Sequence, residues 1–315
     1  MNFIKKLVGL NNGKVIDAIK DSNIKLLKTL IAEGNSITFL YNDLTPIMYV
    51  CRTGDEEIFD ILIEAGANVE NKNSEKITPL MFACSNGNLE IVRKILKISK
   101  KNVNDLCEKY YPALMYAIMS EKNGSEIIVE LINAGADVNI TSGWSSSLSL
   151  ACIQNKHDIV KILVENGADI NKSESLHYAC IWNNLESVKY LISKGANLFV
   201  KDNVMEESCL AGACRRDNVE VVKEIVKYYS GTKDSWAIQN SSNNYEILKI
   251  LLENGILFDE YFRVQNNGRN PSLKNILGDN IKELFEKYKS DENTKLSSEE
   301  YLVDEFVESE ILVEF

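Results

Sequence analysis

The chain has few of the residues and motifs on which catalysis and metal binding depend. It contains two histidines, His157 and His177, and its seven cysteines form no CxxC pair. The strings HExxH, GxSxG, GxxxxGK(S/T) and GxGxxG are absent, as is a calcium-binding loop of the EF-hand type. We therefore expect a chain that is not an enzyme, with no metal site and no cofactor.

Long apolar runs and basic runs are missing as well. No stretch of 18 apolar residues occurs, so we expect no membrane span. The first ten residues, MNFIKKLVGL, carry too short an apolar run for a signal peptide and no small-residue cleavage site. The net charge of −11, without any run of five basic residues, argues against nucleic acid and anionic membrane as partners. We expect a soluble monomer in a reducing, intracellular compartment, most simply the cytoplasm.

Proline is scarce, and its positions are regular. Three of the four prolines, Pro46, Pro79 and Pro112, lie 33 residues apart. Around the second of them the sequence reads ITPLMFACSNGNLEIVRKIL at 77–96. Thr78 can cap a helix that begins at Pro79, Gly87 can end it, and apolar residues resume at helical spacing afterwards. The stretch predicts a helix-turn-helix unit that is too small to bury its apolar face alone.

Copies of this unit recur along the chain. The second helix ends at a glycine in six copies: Gly34, Gly66, Gly135, Gly167, Gly195 and Gly255. Ser99 and Tyr229 stand in two such places, and Asn155 and Asp217 replace the glycine between the helices. The units span 15–34, 44–68, 78–96, 111–139, 146–171, 175–197, 208–229 and 236–255, with a degraded ninth unit at 272–288. Short intervals before Gly195 and Gly255 predict truncated connecting loops.

The repeated pattern resembles the ankyrin repeat. The family pattern, T-P-L-x-x-A-(A/C)-x-x-G and then x-V-x-x-L-L-x-x-G-A-(D/N)-V-N, is matched by ITPLMFACSNGNLEIV at 77–92, ELINAGADVN at 130–139 and ILVENGADIN at 162–171. The resemblance covers residues 14–288 and implies eight or nine repeats. It also implies an all-α fold, an α-solenoid of stacked helix-turn-helix repeats with short projecting loops, in which each repeat is stabilised by its neighbours.

Two further segments flank the predicted array. Residues 1–13 are expected to form an N-terminal cap, with a short helix around 3–10. Residues 289–315 contain nine Asp or Glu residues and two Lys residues, and 289–298 has the composition of a linker. In 299–315, apolar residues alternate with acids at helical spacing. Three interpretations remain open: a disordered acidic tail, a helix that docks on the array, and an acidic amphipathic motif offered to a partner.

The titratable residues within the repeats favour structural roles. Five cysteines occupy one repeated place beside the core alanine, namely Cys51, Cys84, Cys152, Cys180 and Cys214. Because successive copies lie about one repeat apart, we expect buried thiols rather than a disulfide or a tetrahedral metal site. His177 holds the place where many ankyrin repeats have a histidine that hydrogen-bonds within the turn. His157, at the start of a second helix, is expected on the surface.

The resemblance implies that a partner contacts the loop edge and the exposed ends of the first helices, along the concave side. Aromatic residues, methionine and arginine dominate hot spots at such surfaces. The candidate partner-binding residues are Tyr41, Arg52, Ile77, Tyr111, Trp144, Trp182, Met205, Arg215 and Arg216. An alternative role for Ile77, Tyr111 and Trp144 is to cover the core between loops. Arg215 and Arg216 would suit an acidic segment of a partner or of this chain's own tail.

These observations predict a non-catalytic scaffold or adaptor that binds a protein partner. The alternative is a self-regulated binder, in which residues 299–315 occupy the groove of the array until a partner displaces them.

Overall fold

The computed structural model describes residues 12–143, 145–201, 207–230, 232, 234–241 and 244–256. The chain divides into two compact units, 1–200 and 201–315. Within the described residues both units consist of short helices, with one two-stranded ribbon in the first unit. The prediction of an all-α fold built from helix-turn-helix pairs is confirmed. The predicted cap helix at 3–10, the ninth unit at 272–288 and the tail at 289–315 lie outside the described residues.

The first unit contains consecutive pairs of helices. Its helices are α1 (12–20), α2 (Ile24–Ala32), α3 (Pro46–Thr53), α4 (Glu56–Glu64), α5 (Pro79–Asn86), α6 (Leu89–Ile98), α7 (Ala113–Met119), α8 (Gly124–Asn133), α9 (Ser147–Ile153), α10 (His157–Glu165), α11 (Ser175–Ile181) and α12 (Leu185–Ser193). Strands β1 (Thr141–Ser142) and β2 (Ser145–Ser146) pair in an antiparallel ribbon before α9. A 3₁₀ turn at Lys172–Glu174 precedes α11.

The second unit repeats the same arrangement. Its described helices are α13 (Cys209–Arg215), α14 (Val219–Ile225), α15 (Ser235–Asn240) and α16 (Tyr245–Glu253), with a 3₁₀ turn at Val226–Tyr228. Helix α13 packs against α15, and α14 packs against α16. Each unit therefore buries the apolar faces of its helices by stacking one pair on the next, as expected for a repeat protein.

Side chains cap the first helices α3, α5, α9 and α13, whereas α7 and α11 begin without a side-chain cap. The hydroxyl of Thr78 accepts a hydrogen bond from the amide of Met81 at 3.2 Å, and Pro79 is the first helical residue. Helix α7 departs from the pattern, because Tyr111 precedes Pro112 and offers no capping oxygen. Pro112 itself takes the cap position, without a side-chain hydrogen bond, and the helix begins one residue later.

The helices end in left-handed backbone at most of the expected places. The six glycines that follow the second helices have φ between 71° and 95°. Asn155 and Asp217 adopt φ of 54° and 55°, which confirms that they replace the inter-helix glycine. Ser99 and Tyr229 have negative φ instead, so α6 and the 3₁₀ turn after α14 end differently. Gly87 is also required for space, because a Cβ there would collide with Lys122 and Ser120 of the next pair.

The stacking buries one side of every first helix. Helix α3 packs on α5, α5 on α7, α7 on α9 and α9 on α11, while α4, α6, α8, α10 and α12 form a second row. All seven cysteines are buried, which confirms the core role of the five that recur. Burial raises the pKa of the Cys152 thiol to about 12 and raises those of Cys51 and Cys84 further. These side chains therefore remain neutral thiols.

Asparagine side chains join successive pairs at both ends of the helices. The Asn139 amide donates to the carbonyl of Gly167 at 2.9 Å and accepts from the backbone N–H of Asp169 at 2.8 Å. Asn104 makes the same two bonds, to Gly135 and from Asp137. At the inter-helix turns, Asn88 and Asn123 donate to the carbonyls of the preceding glycines, Gly54 and Gly87. These bonds fix the register of one repeat on the next.

Candidate functional site

One side of each first helix remains accessible in the first unit. Counted from the first helical residue, the second, third, fifth and sixth positions of α3, α5, α7, α9 and α11 are all buried. The fourth, seventh and eighth positions lie on the opposite side and are half-buried or exposed, apart from Ser120. We call this set the first-helix stripe. Its members are Tyr49, Arg52, Thr53, Phe82, Ser85, Asn86, Tyr116, Met119, Ser120, Leu150, Ile153, Gln154, Tyr178, Ile181 and Trp182.

The first-helix stripe is a continuous surface, because each first helix packs against the next one. The fourth position is apolar or aromatic in all five helices, and the seventh is apolar in α7, α9 and α11. The guanidinium of Arg52 lies 5.0 Å from the centroid of the Tyr49 ring. At the other end, Trp182 follows α11 and is 46% exposed. The surface therefore offers aromatic and aliphatic side chains that the stacking does not cover.

Turns project before the first helices and form a second accessible surface. These hairpin tips comprise 41–44, 73–77, 107–111 and 141–143 with 145–146. Each of the first three is closed by backbone hydrogen bonds, such as those between Cys107 and Tyr111. Bonds also link consecutive tips: the backbone amide of Glu108 donates to the carbonyl of Glu75 at 2.9 Å, and the Ser142 hydroxyl donates to the carbonyl of Lys109 at 2.7 Å. The tips are therefore held in a fixed order.

Tyr110 is the most exposed large side chain of these tips. It is 64% exposed and has φ of 63°, the left-handed region that bulky residues rarely adopt. Its backbone N–H bonds to the carbonyl of Cys107 at 2.8 Å, which holds the turn closed. The equivalent tip residues Asp43, Lys76 and Gly143 have the same left-handed backbone, with φ of 65°, 60° and 57°. The conformation therefore belongs to the turn of the repeat, and Tyr110 differs from its counterparts by its exposed aromatic ring.

Comparison with known families identifies the repeat. The family model for ankyrin repeats (3 copies) matches residues 15–106, 114–202 and 176–262. The chain belongs to the ankyrin-repeat family. Ankyrin repeats generally mediate protein–protein interaction. The stacked helix pairs are thus ankyrin repeats, and the first-helix stripe and hairpin tips are the surfaces that they present.

The fold is similar to that of a solved ankyrin-repeat domain. The crystal structure of the human ASB11 ankyrin repeat domain matches with a TM-score of 0.59 and 19% sequence identity, over 67% of this chain and 98% of that chain. At this identity the likeness shows the ankyrin fold alone. The curated proteins contain no match to this chain.

Five of the nine predicted partner-binding residues lie on these two surfaces of the ankyrin repeats. Arg52 and Trp182 belong to the first-helix stripe, whereas Tyr41, Ile77 and Tyr111 belong to the hairpin tips. The tip residues are half-buried. The Tyr111 ring packs edge-on against Tyr116 of the first-helix stripe at 6.4 Å. Trp144 and Met205 lie outside the described residues.

Arg215 and Arg216 lie at the end of α13 in the second unit. The guanidinium of Arg215 donates to the carboxylate of Glu207, with distances of 3.0 Å from Nη2 and 3.1 Å from Nε. Asn240 donates to the same carboxylate at 2.8 Å. Arg215 therefore stabilises the second unit, a role that the sequence did not indicate. The side chain of Arg216 is exposed.

The ankyrin surfaces also contain residues that sequence reasoning missed. Tyr110 was overlooked because a tyrosine gives no signal for left-handed backbone. Met119, Ile153 and Ile181 were overlooked because each follows directly on an apolar stretch that the helical pattern assigns to the core. Their shared seventh position in α7, α9 and α11 could have revealed them.

Within the described residues, the titratable groups were found in structural contacts. Nδ1 of His157 lies 3.1 Å from the hydroxyl of Ser187, and the histidine is half-buried. The predicted surface position is thus only partly exposed to solvent, because Ser187 of α12 in the next ankyrin repeat contacts it. Among the described residues, no group of three His, Cys, Asp or Glu residues could hold a metal ion. An open groove of about 220 Å³ between α6 and α8 is crossed by the ion pair of Arg93 and Glu130.

In the part of the chain that the structure describes, every helix is too short or too polar to cross a membrane.

Proposed function

We propose that this ankyrin-repeat chain is a non-catalytic scaffold or adaptor that binds a protein through its concave and loop-edge surface. The observation that carries the proposal is the first-helix stripe. Aromatic or aliphatic side chains occupy the fourth position of α3, α5, α7, α9 and α11, which pack one on the next. Contiguous apolar surface of this kind is characteristic of interaction sites.

The proposed contact residues include all nine candidates together with Tyr110. Arg52 and Trp182 contribute the arginine and tryptophan that are enriched in hot spots. Tyr110 contributes a rigid aromatic ring at the hairpin tips. For Trp144, Met205 and Arg216, the support comes from their residue types and repeat positions alone.

The proposal also covers the number of repeats, the two flanking segments, the cellular compartment and the oligomeric state. The described residues contain eight helix pairs, which supports an array of eight or nine repeats over 14–288, flanked by the cap at 1–13 and the tail at 289–315. Seven free, buried thiols support a reducing, intracellular compartment, most simply the cytoplasm. We propose a monomer that binds no nucleic acid and no membrane.

Partner capture tests the proposal. The tagged chain is used to capture proteins from a lysate of its source cells, and these are identified by mass spectrometry. Trp182→Ala should weaken capture, because it removes an exposed aromatic anchor without opening the core. Val129→Ala serves as the matched control, since Val129 is 42% exposed on α8, a second helix. If both variants retain full capture and full helicity, the first-helix stripe is not the binding surface.

The second candidate function is the self-regulated binder. The observation that favours it is the sequence of 299–315, which places Leu302, Phe306 and Ile311 among acids at helical spacing. Such a segment would compete with a partner for the apolar stripe. Deletion of 289–315 should then strengthen capture of the partner. Unchanged capture after deletion would remove this candidate and leave the scaffold proposal intact.

A further inference from the structure

Asparagine side chains at the starts of second helices bind the inter-helix turn of the preceding pair. Nδ2 of Asn88 donates to the carbonyl of Gly54 at 2.9 Å, and Nδ2 of Asn123 donates to that of Gly87 at 3.0 Å. We call this contact the turn lock. Because each repeat contacts only its neighbours in a stacked array, each turn lock stabilises one junction between two pairs.

Two further junctions have a substitute for the turn lock. Where the pair α9–α10 stacks on α7–α8, Nζ of Lys156 donates to the carbonyls of Ile118 and Ser120. In the second unit Asp217 replaces the glycine of the turn, and Nδ2 of Asn244 donates to its Oδ1 at 2.9 Å. At both junctions another hydrogen bond therefore joins the pairs.

Within the described residues, the turn lock is missing at the junction between the pair α9–α10 and the pair α11–α12. Asn184 precedes α12, and its Oδ1 caps this helix by accepting a hydrogen bond from the amide of Ser187 at 3.2 Å. Its Nδ2 is buried and, among the described residues, has no hydrogen-bond partner. The corresponding turn of the preceding pair contains Asn155, with φ of 54°, in the place of the glycine.

The side chain of Asn155 accounts for the missing turn lock. A Cβ added at Gly54 would lie 3.3 Å from Nδ2 of Asn88, which is closer than an ordinary van der Waals contact. Asn155 has such a Cβ at the equivalent position. The Cβ therefore keeps the amide of Asn184 away from the carbonyl of the turn.

The connection across the same junction is strained as well. Instead of a hairpin tip, the 3₁₀ turn at Lys172–Glu174 precedes α11. Ser173 and Glu174 both have φ of 55°, in the left-handed region that is unfavourable for residues with a Cβ. His157 and Ser187 still join α10 to α12, so the junction is weakened rather than broken.

We infer that this junction opens first among those that join α3 to α12, because it combines a missing turn lock with a strained connection. Segments with weak links to their neighbours open at the lowest free energy. The helices α11 and α12 would then separate from α9 and α10 while the earlier pairs stay together. The first-helix stripe crosses this junction between Ile153 and Ile181, so the opening divides that surface.

Amide hydrogen exchange of the full chain, measured by mass spectrometry, tests the inference. The compared regions are 175–193, which contains α11 and α12, and 79–98, which contains α5 and α6. Protection factors in 175–193 should be at least about tenfold lower than those in 79–98.

Three variants locate the cause. Asn155→Gly removes the Cβ and should restore the turn lock, which raises the protection of 175–193 about fivefold. Asn42→Gly is the matched control, because it makes the same change in left-handed backbone, with φ of 47°, at a hairpin tip. Asn184→Asp keeps the capping oxygen and removes the donor. It should have little effect alone and should abolish the gain from Asn155→Gly.

The outcomes separate the inference from the proposed function. Low protection of 175–193 that Asn155→Gly raises, and only where Asn184 is present, supports the inference. Equal protection of the two regions overturns it. Low protection that Asn155→Gly raises no more than Asn42→Gly also overturns it, because the opening then has another cause. Each of these results leaves the scaffold proposal intact, since partner capture is measured separately.

Discussion

The guanidinium of Arg215 holds the buried carboxylate of Glu207 in the second unit. The Glu207 side chain is 3% exposed, and Oε2 lies 3.0 Å from Nη2 of Arg215, whose own side chain is 35% exposed. Asn240 donates to the same carboxylate and to the carbonyl of Ala211. Through Glu207 and Asn240, α13 is therefore linked to α15. Arg215, a candidate partner-binding residue, thus also neutralises the buried charge of Glu207.

The first prediction concerns this ion pair. Arg215→Ala should lower the free energy of unfolding by about 3 kcal/mol, because it leaves a buried carboxylate without its counter-charge. Lys28→Ala, at an exposed position of α2, serves as the control and should change it by no more than about 0.5 kcal/mol. Urea unfolding followed by circular dichroism measures both values. Equal effects of the two substitutions would contradict the structural role of Arg215. Loss of partner binding in Arg215→Ala is informative only where the folded fraction is unchanged.

The second prediction concerns Lys156, whose Nζ lies 2.6 Å from the carbonyl of Ile118 and 2.5 Å from that of Ser120. These carbonyls belong to the end of α7, where the helix provides no partner for them. Lys156→Met keeps most of the apolar stem and removes the donor. The free energy of unfolding should fall by about 1–3 kcal/mol. Substitution of exposed Lys122 by Met serves as the control and should have little effect.

The third prediction concerns the pH dependence of the same residue. Burial lowers the pKa of Lys156, and Glu121 partly offsets this shift. Between the lowered folded pKa and the ordinary lysine pKa, the unfolded chain binds more protons than the folded chain, so the contribution of Lys156 to stability rises with pH. The stability difference between wild type and Lys156→Met should therefore grow as the pH is raised toward about 10. A difference that is constant over this range would show that Lys156 has an ordinary pKa.

The fourth prediction concerns Tyr110. Asn tolerates left-handed backbone far better than Tyr does, so Tyr110→Asn should raise the free energy of unfolding by about 1 kcal/mol. The same substitution should weaken partner binding, because the exposed ring is lost. Thermal unfolding and capture efficiency are measured on one preparation. If stability rises while capture is unchanged, Tyr110 is strained for a reason other than binding this partner.

The fifth prediction concerns the buried cysteines. Burial raises the pKa of the Cys51, Cys84, Cys152 and Cys214 thiols, and the thiolate is the reactive form. The native chain should therefore resist alkylation by iodoacetamide at neutral pH, and all seven thiols should react in denaturant. The thiol introduced by Ser85→Cys on the first-helix stripe should react at once and serves as the control. Mass spectrometry after timed quenching identifies any native cysteine that reacts as rapidly as the control.

Local features of the fold were predicted closely where one residue controls one backbone conformation. The cap at Thr78 and the left-handed turns at Gly87, Asn155 and Asp217 are all confirmed. The shortened loop before α11 is also confirmed, as a 3₁₀ turn at Lys172–Glu174. Prediction was weaker where the 33-residue spacing of prolines was used without the capping residue that normally precedes the proline. Pro112 keeps the 33-residue spacing, but the helix begins one residue later because Tyr111 cannot cap it.

The candidate site was predicted less completely than the fold. Repeat position correctly placed Arg52 and Trp182 at accessible ends of first helices. Repeat position did not indicate that the guanidinium of Arg215, unlike an exposed arginine at a binding surface, holds the carboxylate of Glu207. It also did not indicate that His157 contacts Ser187 of the next repeat. In each case the deciding neighbour lies eight to about thirty residues away in the sequence, beyond the reach of a local pattern.

The sequence by itself determined the repeat, the positions of most helices and the identity of five of the seven buried thiols. Periodicity, capping residues and glycines are sufficient for this, because they act within one or two turns of a helix. Only the tertiary structure decided which accessible side chains share a surface and which charges are already compensated within the chain. Met119 and Ile153 are adjacent only because α7 packs on α9. The buried charge of Glu207, two residues before α13, is compensated only because the fold brings this carboxylate against the guanidinium of Arg215 at the other end of the helix.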